Sequence, residues 1–278
     1  MKNRSVLITG ASSGIGRACA LHLSRQGFQV FAGVRSGQDA DSLQEEAPGN
    51  ITPLLLDVTD AGSIKSAVER VSEATGGSLY GLINNAGVGL GGPLELLPDD
   101  KISQLLKVNV LGAVAVTQAF LPLIRNNRGG RIITISSISG RIALPGLSVY
   151  AASKFALEAL SDALRVELKP FNIAVVLIEP GNVATPIWEK SIADNDAVMA
   201  QADAAVKNLY AHLIEALNKI AQNPGGIEPE QVANIVAHAL VVKRPRSRYL
   251  VGKGIRRMWL LSRLPDSIRD WILMRNFK

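Results

Sequence analysis

The sequence has a single cysteine and three histidines in 278 residues. Cys19 alone forms no intramolecular disulfide, and a thiolate zinc site is excluded. It reads instead as a small apolar filler on a helix. His22, His212 and His238 are scattered, so no metal site is expected. No apolar run in the sequence reads as the ~20 residues that cross a bilayer. The run after Met1-Lys2-Asn3-Arg4 is also too short for a signal segment. A cytosolic protein is therefore expected. Disorder is excluded by 47% hydrophobic against 19% charged residues, a balance that fits one large globular domain. Net positive charge is missing from most of the chain. Residues 243–278 hold eleven Lys or Arg against two Asp or Glu, a net +9 that leaves −3 for the preceding 242 residues. Basicity confined to one end argues against a nucleic-acid partner and for a local feature.

What is present is an alternation of short apolar runs and helical stretches. Ser5–Thr9, Phe28–Val34, Ile51–Leu56, Leu79–Ile83, Arg131–Ser136 and Ile173–Ile178 read as strands, with Tyr249–Gly252 a seventh. The stretches between them predict helices, including Pro98–Asn126 and one through Tyr150 that ends near Pro170. The pattern predicts an α/β fold, a doubly wound parallel sheet with helices on both faces. Residues 1–252 read as one domain, with 184–225 as a substrate loop.

The chemistry-bearing residues fall at strand ends, where such sheets bind ligands. Thr9-Gly10-Ala11-Ser12-Ser13-Gly14-Ile15-Gly16 joins the first strand to a helix. Glycines there let backbone approach a phosphate, and the helix start adds N–H groups and positive potential. The second strand ends Gly33-Val34-Arg35-Ser36, with no carboxylate. Arg35 would attract a ribose 2′-phosphate, with Ser36 as an extra donor; the alternative is a solvated turn. Asp57 is placed to accept from an adenine amine or to shape a turn. Asn84-Asn85-Ala86-Gly87 lets the chain pass close to a ligand, and Asn109 is a polar amide among apolar neighbours. Tyr150 and Lys154 stand one helical turn apart, and an ammonium beside a phenol lowers the phenol pKa.

Taken together, Thr9-Gly-x3-Gly-Ile-Gly16, Asn84-Asn-Ala-Gly87, Asn109, Ser137, Tyr150-x3-Lys154 and Pro180-Gly181 resemble the short-chain dehydrogenase/reductase family in its compact form. The resemblance implies a Rossmann-type sheet of about seven strands and an NAD(P)-dependent oxidoreductase. By position, Tyr150 would be the general acid/base, and Lys154 would tune it and hold the nicotinamide ribose. Ser137, rather than Ser136, would hold the substrate oxygen, and Asn109 would hold a water behind Lys154. Gly10, Ser12, Ser13, Gly14, Ile15 and Gly16 would line the pyrophosphate. Arg35 and Ser36 would favour NADP over NAD. Asp57 and Val58 would meet the adenine, and Asn85, Ala86 and Gly87 the adenosine side. Pro180, Gly181, Val183 and Thr185 would hold the nicotinamide.

Asn85–Leu94 and Tyr150–Glu158 are similar to steroid- and retinol-type members, which implies a lipophilic secondary alcohol or ketone. Leu144, Leu147 and Val149 are candidates for the pocket, and Trp188 and Met199 for its lid. The other readings are a 3-oxoacyl thioester reductase and a cofactor-binding regulatory protein without catalysis. The family implies a homodimer or homotetramer. The tail, 253–278, predicts two amphipathic helices. Ile255, Met258, Trp259, Leu261 and Leu264 would share one face, with Ile268, Trp271, Ile272 and Met274 on the second helix. The tail either packs over the substrate mouth or a partner subunit, or makes peripheral contact with an anionic membrane.

Overall fold

The computed structural model describes residues 4–47, 49–187, 203–222 and 226–276. Seven parallel strands form one sheet: β1 (Ser5–Ile8), β2 (Gln29–Val34), β3 (Ile51–Leu55), β4 (Gly81–Asn84), β5 (Gly130–Ile135), β6 (Ile173–Pro180) and β7 (Arg248–Val251), in the order β3-β2-β1-β4-β5-β6-β7. The order reverses between β1 and β4, which opens a crevice at their C-terminal ends.

Alternation along each strand loads both faces. In β1, Val6 and Ile8 join a core with Ala18, Cys19 and Leu23 of α1 (Gly14–Arg25) and with Val236 and Leu240 of the 229–241 helix. Leu7 points the other way, into a core with Ile64 and Val71 of α3 (Ala61–Thr75) and Val116 and Phe120 of α5 (Ala113–Asn126).

Two stretches carry detail that the sequence did not give. Gly37–Glu46 forms a further helix, α2, between β2 and β3. It is short and polar, with Leu43 its only buried residue, so it shows almost no apolar period. The region after Pro98 is α4 (Asp99–Leu106), a π-helical segment at Lys107–Gly112, and α5. By length and apolarity 99–126 is long enough to cross a membrane, contrary to the sequence reading. Val116, Phe120 and Ile124 are nevertheless buried against the sheet, as in a core helix. The π segment brings Gly112 so near Val58 that a Cβ would lie 2.6 Å from its Cγ2.

Candidate active site

The turn between β1 and α1 is built from backbone. Gly10 and Gly14 have φ of 67° and 53°, a conformation that a Cβ disfavours. A Cβ on Gly16 would lie 2.2 Å from the Gly10 carbonyl oxygen. Ser13 is the N-cap of α1 with no side-chain cap, and no acid lies in the first turn. The first N–H groups of a twelve-residue helix are thus left for an anion, and the residues fit a dinucleotide phosphate. The turn is stapled to the loop after β4. Asn85 Nδ2 donates to the Thr9 and Gly10 carbonyls, both at 2.9 Å, and the Asn85 and Ala86 N–H groups donate to Thr9 Oγ1, both at 3.0 Å. Both Asn85 amide hydrogens are therefore used in holding the turn, so its side-chain nitrogen is a brace. Thr185, on the loop after β6, closes on the same turn, with its Cγ2 3.0 Å from where a Gly14 Cβ would stand. Val183 is buried beside it and bridges Ile227.

The second half of the site stands on α6 (Ser148–Glu167). Tyr150 is buried with Val149, Leu90, Leu97 and Leu105, so Val149 is wall and core together. The Ser137 hydroxyl is hydrogen-bonded to the Tyr150 oxygen and accepts from Ser139 N at 3.0 Å. Ser136 lies instead beside Glu158 and Gly140. Lys154 is buried, with Nζ donating to Ile135 O at 3.0 Å and lying 5.6 Å from the Tyr150 ring centroid.

The electrostatics depart from expectation. Burial pushes the Tyr150 phenol up to about 12, opposed only by Ser137; Lys154 is not among the groups that pull it down. Burial also depresses Lys154 to about 8, against the pull of Glu158. Burial therefore outweighs whatever the Lys154 ammonium does to favour the phenolate, and the net shift of the phenol is upward. Asn109 differs too. Its Oδ1 accepts from Val88 N at 2.8 Å, and its Nδ2 donates to Val88 O at 3.0 Å and Ser153 Oγ at 3.2 Å. With both amide hydrogens engaged, Asn109 ties the β4 loop to α6. Ser153, which the sequence reading missed, completes the tie by donating to Tyr150 O at 2.7 Å.

A model of the short chain dehydrogenase family matches residues 4–196. Retinol dehydrogenase 5 of Mus musculus is 36% identical over 287 residues, covering 97% of this chain and 89% of that protein. The 17-beta-hydroxysteroid dehydrogenase type 1 of Homo sapiens is 39% identical over 262 residues, covering 90% and 77%. The crystal structure of a short-chain dehydrogenase from Streptomyces avermitilis superposes with a TM-score of 0.81 at 28% identity, over 99% of this chain and 96% of that one. The chain belongs to the short-chain dehydrogenase family. It is accordingly an NAD(P)-dependent dehydrogenase/reductase, and its cofactor class is a nicotinamide dinucleotide.

Other expected positions of this dehydrogenase divide. Arg35 is exposed at the end of β2 and faces Asp57, whose carboxyl is held low by Thr59 N and Oγ1, with Arg35 a smaller cause. Asp57 thus shapes a turn, accepting from Thr59 N at 2.8 Å. Ser36 is not a free donor. It is the N-cap of α2, donating to Asp39 Oδ2 at 2.7 Å and accepting from Asp39 N. Val58 is packed against Gly112 and offers no side chain to a base. Pro180 and Gly181 pair with β7, with Gly181 N donating to Val251 O at 2.9 Å. Gly87 sits beside Asn109, and Leu144 is half-buried in the loop before α6. Trp188 and Met199 lie outside the described residues. The helices at 204–209 and 211–222 reach over the loops: Tyr210 donates to Glu95 Oε2 at 2.8 Å, and Leu217 covers Gly146.

Behind α6 lies a charge cluster that the sequence reading also missed. Glu158 and Glu179, both nearly sealed from water, share Arg141 and Arg248. Arg141 Nη2 reaches Glu158 at 3.0 Å and Glu179 at 2.9 Å; Arg248 Nε reaches them at 3.1 and 3.2 Å. Two signals were available. Lys154, Glu158 and Asp162 repeat every four residues on one helix face, and Glu179 interrupts an apolar strand.

Proposed function

We propose that this enzyme interconverts a hydroxyl and a carbonyl on a lipophilic small molecule, with NADP(H) as its dinucleotide. The observation that carries the reading is the Ser137 hydroxyl on the Tyr150 oxygen with the Lys154 ammonium beneath, beside an uncapped glycine turn. Bound at that turn, the dinucleotide supplies or accepts the hydride. Gly10, Ser12, Ser13, Gly14, Ile15 and Gly16 would hold its phosphates, and Thr185 and Lys154 its nicotinamide end. Tyr150 passes a proton to or from the substrate oxygen, and Ser137 donates a hydrogen bond to the same oxygen as charge develops on it. The Tyr150 phenol, raised by burial, holds its proton at neutral pH and can give it to a carbonyl oxygen during reduction. The apolar cluster of Leu90, Leu97 and Val149 around Tyr150 and the retinol and steroid dehydrogenases among its relatives support the lipophilic class.

A screen of NADPH and NADH oxidation against steroid and retinoid carbonyls, with acyl thioesters alongside, tests this. Consumption with a lipophilic carbonyl is expected; turnover of thioesters alone would overturn the substrate class. The NADP preference rests on Arg35, because Ser36 and Asp39 satisfy each other. Arg35→Ala should weaken NADPH binding about 10–100-fold, the range of a charge-assisted hydrogen bond, and leave NADH nearly unchanged. Equal losses for both would overturn the preference. We also expect a homodimer or homotetramer, whose contact would cover the exposed Leu106, Leu111, Phe155 and Val166 of α4–α6. Light scattering on the purified enzyme reads this directly.

A further inference from the structure

The last two helices, Ile255–Leu261 and Asp266–Asn276, carry apolar residues on two sides. The inner side is packed: Ile255 lies against Gly181 and Leu273 is buried. The outer side is open. Leu260 on the first helix, Leu264 in the connection, and Ile268, Trp271 and Met274 at three-residue spacing on the second are 37–59% exposed. The expected single apolar face, with Ile255 and Leu264 together, is thus divided, one of the pair buried and the other exposed.

Cations flank this stripe at helical spacing. Arg256 and Arg257 stand four and three residues before Leu260, Arg263 stacks 5.0 Å over Trp259, and Arg275 lies 4.9 Å over Trp271. Lys253, Arg256, Arg257, Arg263 and Arg275 make no ion pair among the described residues. The two acids of the stretch, Asp266 and Asp270, both face Arg269. Exposed apolar side chains rimmed by unpaired cations suit a surface that is greasy below and anionic at its face. Helices of seven and eleven residues are too short for the roughly 20 that cross a bilayer, so they would lie on it. A second copy fits worse, since a two-fold contact would set each set of unpaired cations against its own image.

We propose that this outer stripe is a docking surface for an anionic lipid bilayer. The 255–261 helix touches the turn at Ile138–Gly140 that follows Ser137, so docking would bring the site to the membrane face. The inference does not depend on the reaction assigned above, and its test needs no substrate.

The full chain should be sedimented with phosphatidylcholine vesicles and with the same vesicles carrying phosphatidylglycerol. Roughly tenfold stronger pelleting with the anionic vesicles is expected, released by salt. Arg256→Glu with Arg257→Glu should abolish that gain, and Leu264→Ser with Trp271→Ser should lower binding at every salt concentration. All four positions are exposed, and circular dichroism checks that the variants stay folded. Equal pelleting with neutral and anionic vesicles overturns the proposal, as does unaltered binding by either variant. A Leu264→Ser/Trp271→Ser protein that changes from dimer to monomer while still pelleting would assign the stripe to a second copy.

Discussion

A Tyr150→Phe enzyme should bind dinucleotide as the parent does and turn over about 10²–10⁴-fold more slowly. The ring stays where it is, among Val149, Leu90 and Leu105, so the wall is unchanged. Ser137 keeps its hydrogen bond from Ser139 N. What is lost is the phenolic hydroxyl proposed to exchange a proton with the substrate oxygen. Isothermal titration with NADPH and steady-state turnover on the same preparation separate the two effects; unchanged turnover would remove Tyr150 from the mechanism. The pH profile carries a second check. Lys154 is depressed to about 8, so its ammonium is lost as pH rises through that value. The cation that would steady a forming phenolate then disappears, and kcat/KM for carbonyl reduction should decline above about pH 8. A profile flat from pH 6 to about 10 would mean that the Lys154 charge has no part in the proton step.

The seven strands, the glycine turn at Gly10–Gly16 and the Tyr150–Lys154 pair on one helix were legible because they depend on short-range signals, whereas Ser137 was picked out by the family resemblance. Buried strands read as apolar runs, the tight turn needs glycine, and an i, i+4 pair shares a helix face. What stayed hidden depends on partners distant in sequence. Asn85 looks like a ligand-facing amide until Thr9 and Gly10, some 75 residues earlier, take both its hydrogens. Ser36 looks like a phosphate donor until α2, which has almost no apolar period, begins there and uses it as a cap. Lys154 beside Tyr150 suggests an acidified phenol, but burial acts on both groups more strongly than their mutual attraction. In the tail, composition gave two amphipathic helices but not which side would meet the body. That is set by Ile255 finding the space over Gly181.

The same long-range dependence makes the Arg141 cluster the place where one substitution should cost most stability. Arg141→Ala leaves Glu158 and Glu179, both almost excluded from water, with Arg248 as their shared cation. Stripping one partner from a buried ion pair costs about 3–5 kcal/mol. For a chain of this size that lowers Tm by roughly 10 °C, measurable by calorimetry. Glu158 also gives the cluster a pH signature. Burial raises it from the usual 4.5 to about 7, and Glu179 moves the same way. Between those two values the folded chain holds a proton that the unfolded chain has released. The stability that Glu158 contributes is therefore fully present below about 4.5 and declines as pH rises toward 7. Glu158→Gln should flatten that decline, because an amide has no proton to lose. Arg141→Ala should extend it to higher pH, because a missing guanidinium favours the protonated acids further. A Tm that is level across this window in the parent, or unmoved in Arg141→Ala, would show that the cluster is neutralised in some other way.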